Sequence, residues 1–572
     1  MSRPSALRNL RAGDWKLLAA LFVVAVGLVA VFAFAARTTP TYLVNGLSIP
    51  VTFEVAGRRV PLQPGWRDEV KLPVGAHHVR VLAADGRVVD EIPIVIPRFV
   101  DAIVVNPLGA APVYVERLFY GLAGSTTPPS VDFRGGRRVT LVKSVDDPFR
   151  DPPRQISAKR NERVTRVHLA LADGGAPTTL GYLLDHDEAG RAMSIATALL
   201  ERDPGERSVL MAVEVGGRLA GVAGVHAVSA RARVTAPSLG VGHSVYALAM
   251  GALGRDAELV AELRAARDAQ PDDPLRGAAF ARVAPREEAR AEYAALVAKH
   301  PASAEVAISA AAFALDDDRP ADAIELFQRH AGSPAYAHAV ELHARAVARV
   351  SGPQAAYDLL ARALDAQPDE GASLFAASLA RLPEVKGDAH HLMSATTPQR
   401  RAALLAELGA PDDAAARDDR RLAVVLSLIR RLETSTSGAL TAWDSELDHA
   451  SRALVPSETR LWLALESARL GAPLAVDPLA GMPLMPVPIA DVHAYVAGGP
   501  EPPRLFRVHP SLRAVIEASR ARALASASRP TSEAEAIVAR CSPGASLARR
   551  LLGVGTPKRA APRERAQPRP KK

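Results

Sequence analysis

The sequence predicts a multidomain chain: one transmembrane helix, a small antiparallel β-sandwich, then an all-α solenoid of helix-turn-helix repeats. Three observations predict it. Residues 17–36 form an apolar run with no charge, residues 41–145 alternate apolar and polar side chains in short segments, and the alanine-rich second half repeats small residues at about 34-residue spacing.

The run at 17–36 holds twenty residues without a strong hydrogen-bonding side chain. As a helix it covers ~30 Å, the thickness of a bilayer's hydrocarbon core. Arg3, Arg8, Arg11 and Lys16 precede it, and only Arg37 follows closely. That asymmetry places residues 1–16 in the cytoplasm, the helix in the inner membrane, and the body in the periplasm of a Gram-negative cell. The competing reading is a signal peptide cleaved at Ala35, since Ala33-Phe34-Ala35 has the small-x-small form; the run exceeds the usual length of such a core.

The formal net charge of +8 is concentrated at the ends. The first sixteen residues carry +3 and the last fifteen +6, which leaves the body at −1. A nucleic-acid surface is therefore not expected of the folded part. The single cysteine, Cys541, excludes an intramolecular disulfide, and no Cys/His cluster has zinc spacing.

Six β-rich runs, at 51–55, 68–72, 77–82, 88–96, 103–106 and 113–120, predict the sandwich, with one face in water and a turn at Asp85-Gly86. The stretch PGWRDEVKLPVGAHHVRVLAADGR (64–87) resembles the bacterial PEGA-type module through Pro73, Gly75, His77 and Val79, and lacks that family's Gly-x-Thr-Pro segment. The resemblance implies an envelope-associated β module. His77 and His78 are adjacent on a strand, so they point to opposite faces and cannot chelate one ion. Residues 146–177 open Pro-rich and charged, which predicts a linker.

From 178 to 552 the helical period dominates. Ala289, Tyr293 and Leu296 stand at i, i+4 and i+7; Ala323 and Phe327 repeat the pattern, then Ala356, Leu360 and Ala363. Pro301, Pro334 and Pro368 close these segments, and Gly277, Ala311 and Ala344 each lie twelve residues before the first alanine. Small residues on two helices let their backbones approach, while a bulky neighbour fills the remaining gap. DAQPDD (268–273) and DAQPDE (365–370) mark unit boundaries, and LLERDP at 199–204 suggests a further unit upstream.

This pattern resembles the tetratricopeptide repeat family. It departs at the large first-helix position, held here by Asp273, Ala307 and Val340. The resemblance implies protein partners on a concave solenoid surface. Residues 420–433 read as a buried helix, Trp443 and Trp462 as inter-helix packing, 472–503 as an extended connector lying in a groove, and 511–552 as three helices. The tail at 553–572 is basic and has almost nothing to bury, which predicts disorder and allows contact with an anionic polymer.

No catalytic, cofactor-binding or metal-binding residue is assigned. Asp185 to Glu188 (DHDE) reads as a charged turn opening a helix, Gly240 to Ser244 as a loop, and His338 and His343 as divergent positions of one helix. The function expected is a membrane-anchored, non-catalytic scaffold or assembly factor of the cell envelope. The alternative is an envelope glycan- or peptidoglycan-binding protein using the β module and tail. A hydrolase would require a cleft with paired acidic residues or a desolvated histidine.

Overall fold

The computed structural model describes residues 19–25, 38–98, 100–120, 130–153, 156, 164–236, 240–366, 369–388, 397–409, 417, 419–480, 485–544 and 546–552. Of the expected transmembrane helix, residues 19–25 are helical and exposed; the rest of that segment, residues 1–16, Pro368 and the tail at 553–572 lie outside the described residues. The chain divides into two compact units, one from residues up to 220 with 227–243, the other from 221–226 with 244 onward.

The first unit stacks three four-stranded sheets. The middle sheet has the order β10 (Val139–Val142), β7 (Ala102–Val105), β1 (Thr38–Val44), β4 (Arg67–Pro73). A second runs β3 (Arg58–Leu62), β2 (Val51–Val55), β5 (Gly75–Ala83), β6 (Val88–Ile96); the third runs β11 (Asp147–Pro148), β12 (Val164–Leu171), β8 (Val113–Tyr120), β9 (Ser130–Phe133). Alternation along the middle strands serves two cores at once. Leu43, Ile103 and Val105 join Phe53, Val81 and Ile94 of the second sheet. Tyr42, Val44, Ala102 and Val104 join Val113, Val115 and Leu169 of the third.

All six expected strands form, with ends shifted by a few residues, and the Asp85-Gly86 turn closes the β5–β6 hairpin, with Gly86 at φ +82. Two features depart from a one-sided antiparallel sandwich. The central strands β1 and β7 of the middle sheet are buried on both faces over Thr41–Val44 and Ala102–Val105, and they pair in parallel. Strands buried on both faces read as continuous apolar runs, which is why β1 escapes a search for alternation.

The expected linker also changes role. Residues 164–171 form β12, paired along its whole length with β8, and 147–148 form β11. The helices that follow belong to the same core: α1 (Ala176–Asp185), α2 (Ala189–Arg202) and α3 (Glu206–Thr235) bury Leu180, Leu183, Ile195, Leu199 and Val215 against the strands. Ser48 fixes the junction of α2 and α3, its hydroxyl donating to Asp203 at 2.8 Å while Ser208 donates to the Asp203 carbonyl at 2.7 Å. The LLERDP segment is thus part of the β unit and not an upstream repeat. Among the described residues only α3 is long and apolar enough to cross a membrane, by length and composition alone. Its Val209, Ala212 and Val215 are buried in the unit, and its Arg218 pairs with Asp185 and Glu214.

In the second unit α4 (Gly240–Ala252) and α5 (Asp256–Ala269) precede helix pairs α6 (Pro274–Val283) with α7 (Arg286–Lys299), and α8 (Ala304–Asp316) with α9 (Pro320–Arg329). A single turn, α10 (Pro334–Ala337), intervenes before α11 (Val340–Val350) and α12 (Pro353–Ala366). Gly277, Ala311 and Ala344 sit on first helices; Ala289, Tyr293, Leu296, Ala323, Phe327, Ala356 and Leu360 sit buried on second helices. A Cβ on Gly277 would lie 2.7 Å from a Leu296 methyl, so the close approach is literal.

The boundary phrases work as N-caps: Asp273 accepts from the N–H groups of Leu275 and Arg276, Ser303 from that of Val306, and Asp369 from that of Ala372. This explains the departure from the repeat pattern at Asp273, which caps the helix instead of packing within it. Adjacent pairs are tied at Asp317, whose buried carboxylate meets Arg286 and Arg290 of α7 and Arg319. Burial opposes its ionisation, but the three guanidinium partners outweigh it and hold its pKa at about 2.

Beyond α13 (Glu370–Ala380), the helices form a separate core. They are α14 (Pro398–Glu407), α15 (Arg420–Thr434), α16 (Thr436–Ser445), α17 (His449–Leu454), α18 (Ser457–Leu470), α19 (Ile489–Val496), α20 (Pro510–Ser526), α21 (Ser532–Cys541) and α22 (Leu547–Leu551). Trp443, Trp462 and Tyr495 lie at its centre, fully buried. The expected helix at 420–433 is α15, apolar side inward, and three helices occupy 510–551. The connector at 472–503 differs by containing α19; its irregular part is held by Trp443 Nε1 donating to Val476 O at 2.8 Å and Arg460 Nε donating to Pro478 O at 2.7 Å.

Overpacking the Gly277–Leu296 contact should destabilise the second unit. Gly277→Val is expected to cost ~1–3 kcal/mol, read as a lower urea midpoint at unchanged slope.

Candidate functional site

The surface that the repeat pattern singles out is the side presented by first helices α6, α8, α11 and α13. Much of it is covered by the chain's own residues 504–541. Arg507 Nη2 donates to Ala281 O at the end of α6, at 3.0 Å. The Phe506 ring meets Phe313 of α8 edge-on, with centroids 6.5 Å apart, and the Arg507 guanidinium lies 5.3 Å from the Phe313 centroid. His509 Nε2 is 3.4 Å from Glu341 of α11, and Arg345 of the same helix donates to Cys541 O at 3.0 Å. Arg504 pairs with Asp256, and Arg540 pairs with Asp318 at 2.6 Å.

The other side of this strap is anchored just as firmly. Leu505 and Val508 are buried in the core that contains Trp443 and Trp462. At Ala281, Phe313, Glu341 and Arg345 the occupant of the first-helix side is intramolecular. The sequence hides this because PRLFRVHP (503–510) is too short to show a period: around a 3-10 turn at Leu505–Arg507, Leu505 and Val508 face one core while Phe506 and Arg507 face the other.

Between strap and array lies a cavity of about 260 Å³, lined by Arg286, Asp316, Arg345, Arg349, Arg513 and Cys541 among others. Burial pushes Asp316 up to about 7, against the pull of Arg507, Arg282 and Arg349. Burial likewise pushes the Cys541 thiol up, so it stays protonated and is a weak nucleophile at neutral pH. Arg513 gives Nη2 to Glu501 at 3.1 Å and to Glu517 at 2.6 Å, while its Nε and Nη1 have no hydrogen-bond partner among the described residues.

Each feature weighed in the sequence has a place. Asp185 ends α1, His186 stacks on Tyr182 at 3.8 Å, and Glu188 precedes α2, so DHDE spans the turn between two helices. Gly240 to Ser244 forms the first turn of α4, a helix where a loop was expected, because its alanine- and valine-rich continuation carries the helix back through the glycines. His338 follows α10 and His343 sits on α11, so the pair does not share one helix. His343 stacks on Phe327, is hydrogen-bonded through Nδ1 to Tyr336 at 2.6 Å, and is held below its ordinary pKa by burial. On β5, His77 Nε2 is engaged by Pro73 O at 2.7 Å. Among the described residues no three His, Cys, Asp or Glu side chains converge for a metal.

A pair of carboxyls does exist, Glu407 and Glu458, and the sequence reading missed it because the two lie on different helices, 51 positions apart. Both line one cavity, and burial together with the neighbouring Glu458 raises Glu407 above the ordinary carboxylate range.

No protein-family model matches this chain, and no curated protein matches it. Among solved structures it is similar to a chain in the structure of Naa15/Naa10 bound to HypK-THB, at 13% identity over 64% of this chain and 63% of that one. The chain thus spans less than two thirds of that relative, and the TM-score of 0.17 is too low to assign a shared fold.

The ionisation of Asp316 gives a pH signature. Its folded pKa is above its unfolded value, so its stabilising protonated form is present below pH ~4, and stability falls as pH rises towards 7. Asp316→Asn should flatten that fall and raise stability at pH 8 by at least ~1 kcal/mol, read from denaturant midpoints at pH 5 and pH 8.

Proposed function

We propose that the protein is a membrane-anchored, non-catalytic scaffold of the bacterial cell envelope, held by residues 17–36 with its body in the periplasm and working through protein partners. The observation that carries this reading is the row of small-residue helix pairs α6–α7, α8–α9 and α11–α12, an architecture that presents long continuous helix surfaces rather than one catalytic cleft. The uncharged run at 17–36 and its basic N-terminal flank support the anchor and its orientation.

The strap supports one choice of partner surface within this reading. Displacing residues 504–509 would forfeit burial of Leu505 and Val508, ~1.5–3 kcal/mol each. Partners are therefore assigned to the second-helix side, where Ala295 of α7 and Glu325 of α9 are exposed.

Topology is tested with an added thiol, since Cys541 is desolvated. In a Cys541→Ser background carrying Ala295→Cys, a membrane-impermeant maleimide should label intact spheroplasts as fully as lysed ones. Labelling only after lysis would overturn the periplasmic placement. A photo-crosslinker at Glu325 should yield discrete protein adducts in cells; their absence there, with adducts at Leu275 on α6, would overturn the assignment of the surface.

A further inference from the structure

A second cavity, of about 420 Å³, lies wholly within the second unit, among α11, α13, α14, the start of α18 and the residues around His509. Its lining is largely apolar, with Leu374, Phe375, Leu404, Leu408 and Leu512. Glu407 and Glu458 line it too.

Glu407 ends α14 and is fully buried. Its Oε1 accepts from Thr459 twice, from N–H at 2.8 Å and from the hydroxyl at 2.6 Å, so the carboxyl is fixed at the N-terminal turn of α18. Its Oε2 receives no donor from a backbone, hydroxyl or cationic group among the described residues. The carboxyl of Glu458 lines the same cavity, so its nearest ionisable neighbour is a like charge.

The other charged groups lining the cavity are Arg400, Glu341, Arg345 and His509, and Arg550 donates to the Glu407 carbonyl at 2.7 Å. Glu341 is already engaged by Arg345 and His509. The Glu407–Glu458 pair is thus the acidic group of this cavity without a cation.

We propose that this cavity binds a small primary aliphatic amine, its ammonium donating to Glu407 and Glu458 and its hydrocarbon chain lying on the leucine wall. An ammonium supplies the donors that Oε2 lacks, and the apolar wall sets the length and shape of the chain. The positive end of α18 offsets part of the second negative charge that appears. Burial and the neighbouring Glu458 raise Glu407 well above the ordinary carboxylate range. Where Glu407 is protonated in the empty site, the ammonium takes the place of that proton, which leaves for solvent, with no covalent bond made or broken.

The probe is n-hexylammonium, titrated calorimetrically into the full-length chain in detergent, in two buffers of different ionisation enthalpy. The expected result is one site per chain, release of up to one proton, and affinity rising with pH by up to tenfold per unit while Glu407 is protonated. Neutral n-hexanol should bind at least tenfold more weakly. Glu407→Gln retains an acceptor for Thr459 and a donor for Glu458, so it should fold and yet lose at least tenfold in amine affinity with no proton release. Glu458→Gln, at a partly exposed position, serves as the second variant and should lose affinity similarly. Equal binding of hexanol and hexylammonium, binding undiminished in both variants, or no binding at millimolar amine would each overturn the proposal.

Discussion

The strap from Arg504 to His509 is the contact on which the second unit depends. Within four residues it sends Leu505 and Val508 into one core and Phe506 and Arg507 against another. Side chains that alternate between two cores join them more tightly than a single-faced contact, because neither side can open without exposing the other. An array of helix pairs has a curved face that needs a ligand or a lining; here the lining is covalently attached. Arginine suits this role, since its guanidinium can lie on an aromatic ring and still reach a carbonyl, as Arg507 does with Phe313 and Ala281.

The first unit is organised by a different constraint, a sheet whose central strands have no wet face. Once β1 and β7 are buried on both sides, their strand neighbours and two flanking cores must come from elsewhere in the chain. They come from β12, which looks like part of a linker, and from α1 to α3, which look like the start of a solenoid. The charged and proline-rich residues at 146–153 are real, and so is the strand that follows. Composition describes the approach to β12 and says nothing of β8, the partner that makes it a strand.

The acidic groups of the second unit illustrate how environment divides one residue type into distinct roles. Asp316 and Asp317 are adjacent, yet burial raises the first while three arginines depress the second. Glu341 and Glu407 line one cavity, yet the first has Arg345 and His509 beside it and the second has another carboxyl. None of these differences is visible in the immediate sequence, because the deciding neighbours sit on other helices.

What the sequence determined by itself is local and periodic. The six strands, the Asp85-Gly86 turn, the small residues Gly277, Ala311 and Ala344, the unit boundaries at 268–273 and 365–370, and the buried faces of α15 and of Trp443 and Trp462 all follow from spacing, turn chemistry and hydrophobic pattern. Tertiary structure alone decided where the first unit ends, which strands share a sheet, what covers the first helices, and which carboxyls meet. Periodicity reports whether a residue is buried, since that depends on its own face. It does not report against what, and both the strap at Phe506 and the Glu407–Glu458 pair are defined by a partner far away in the chain.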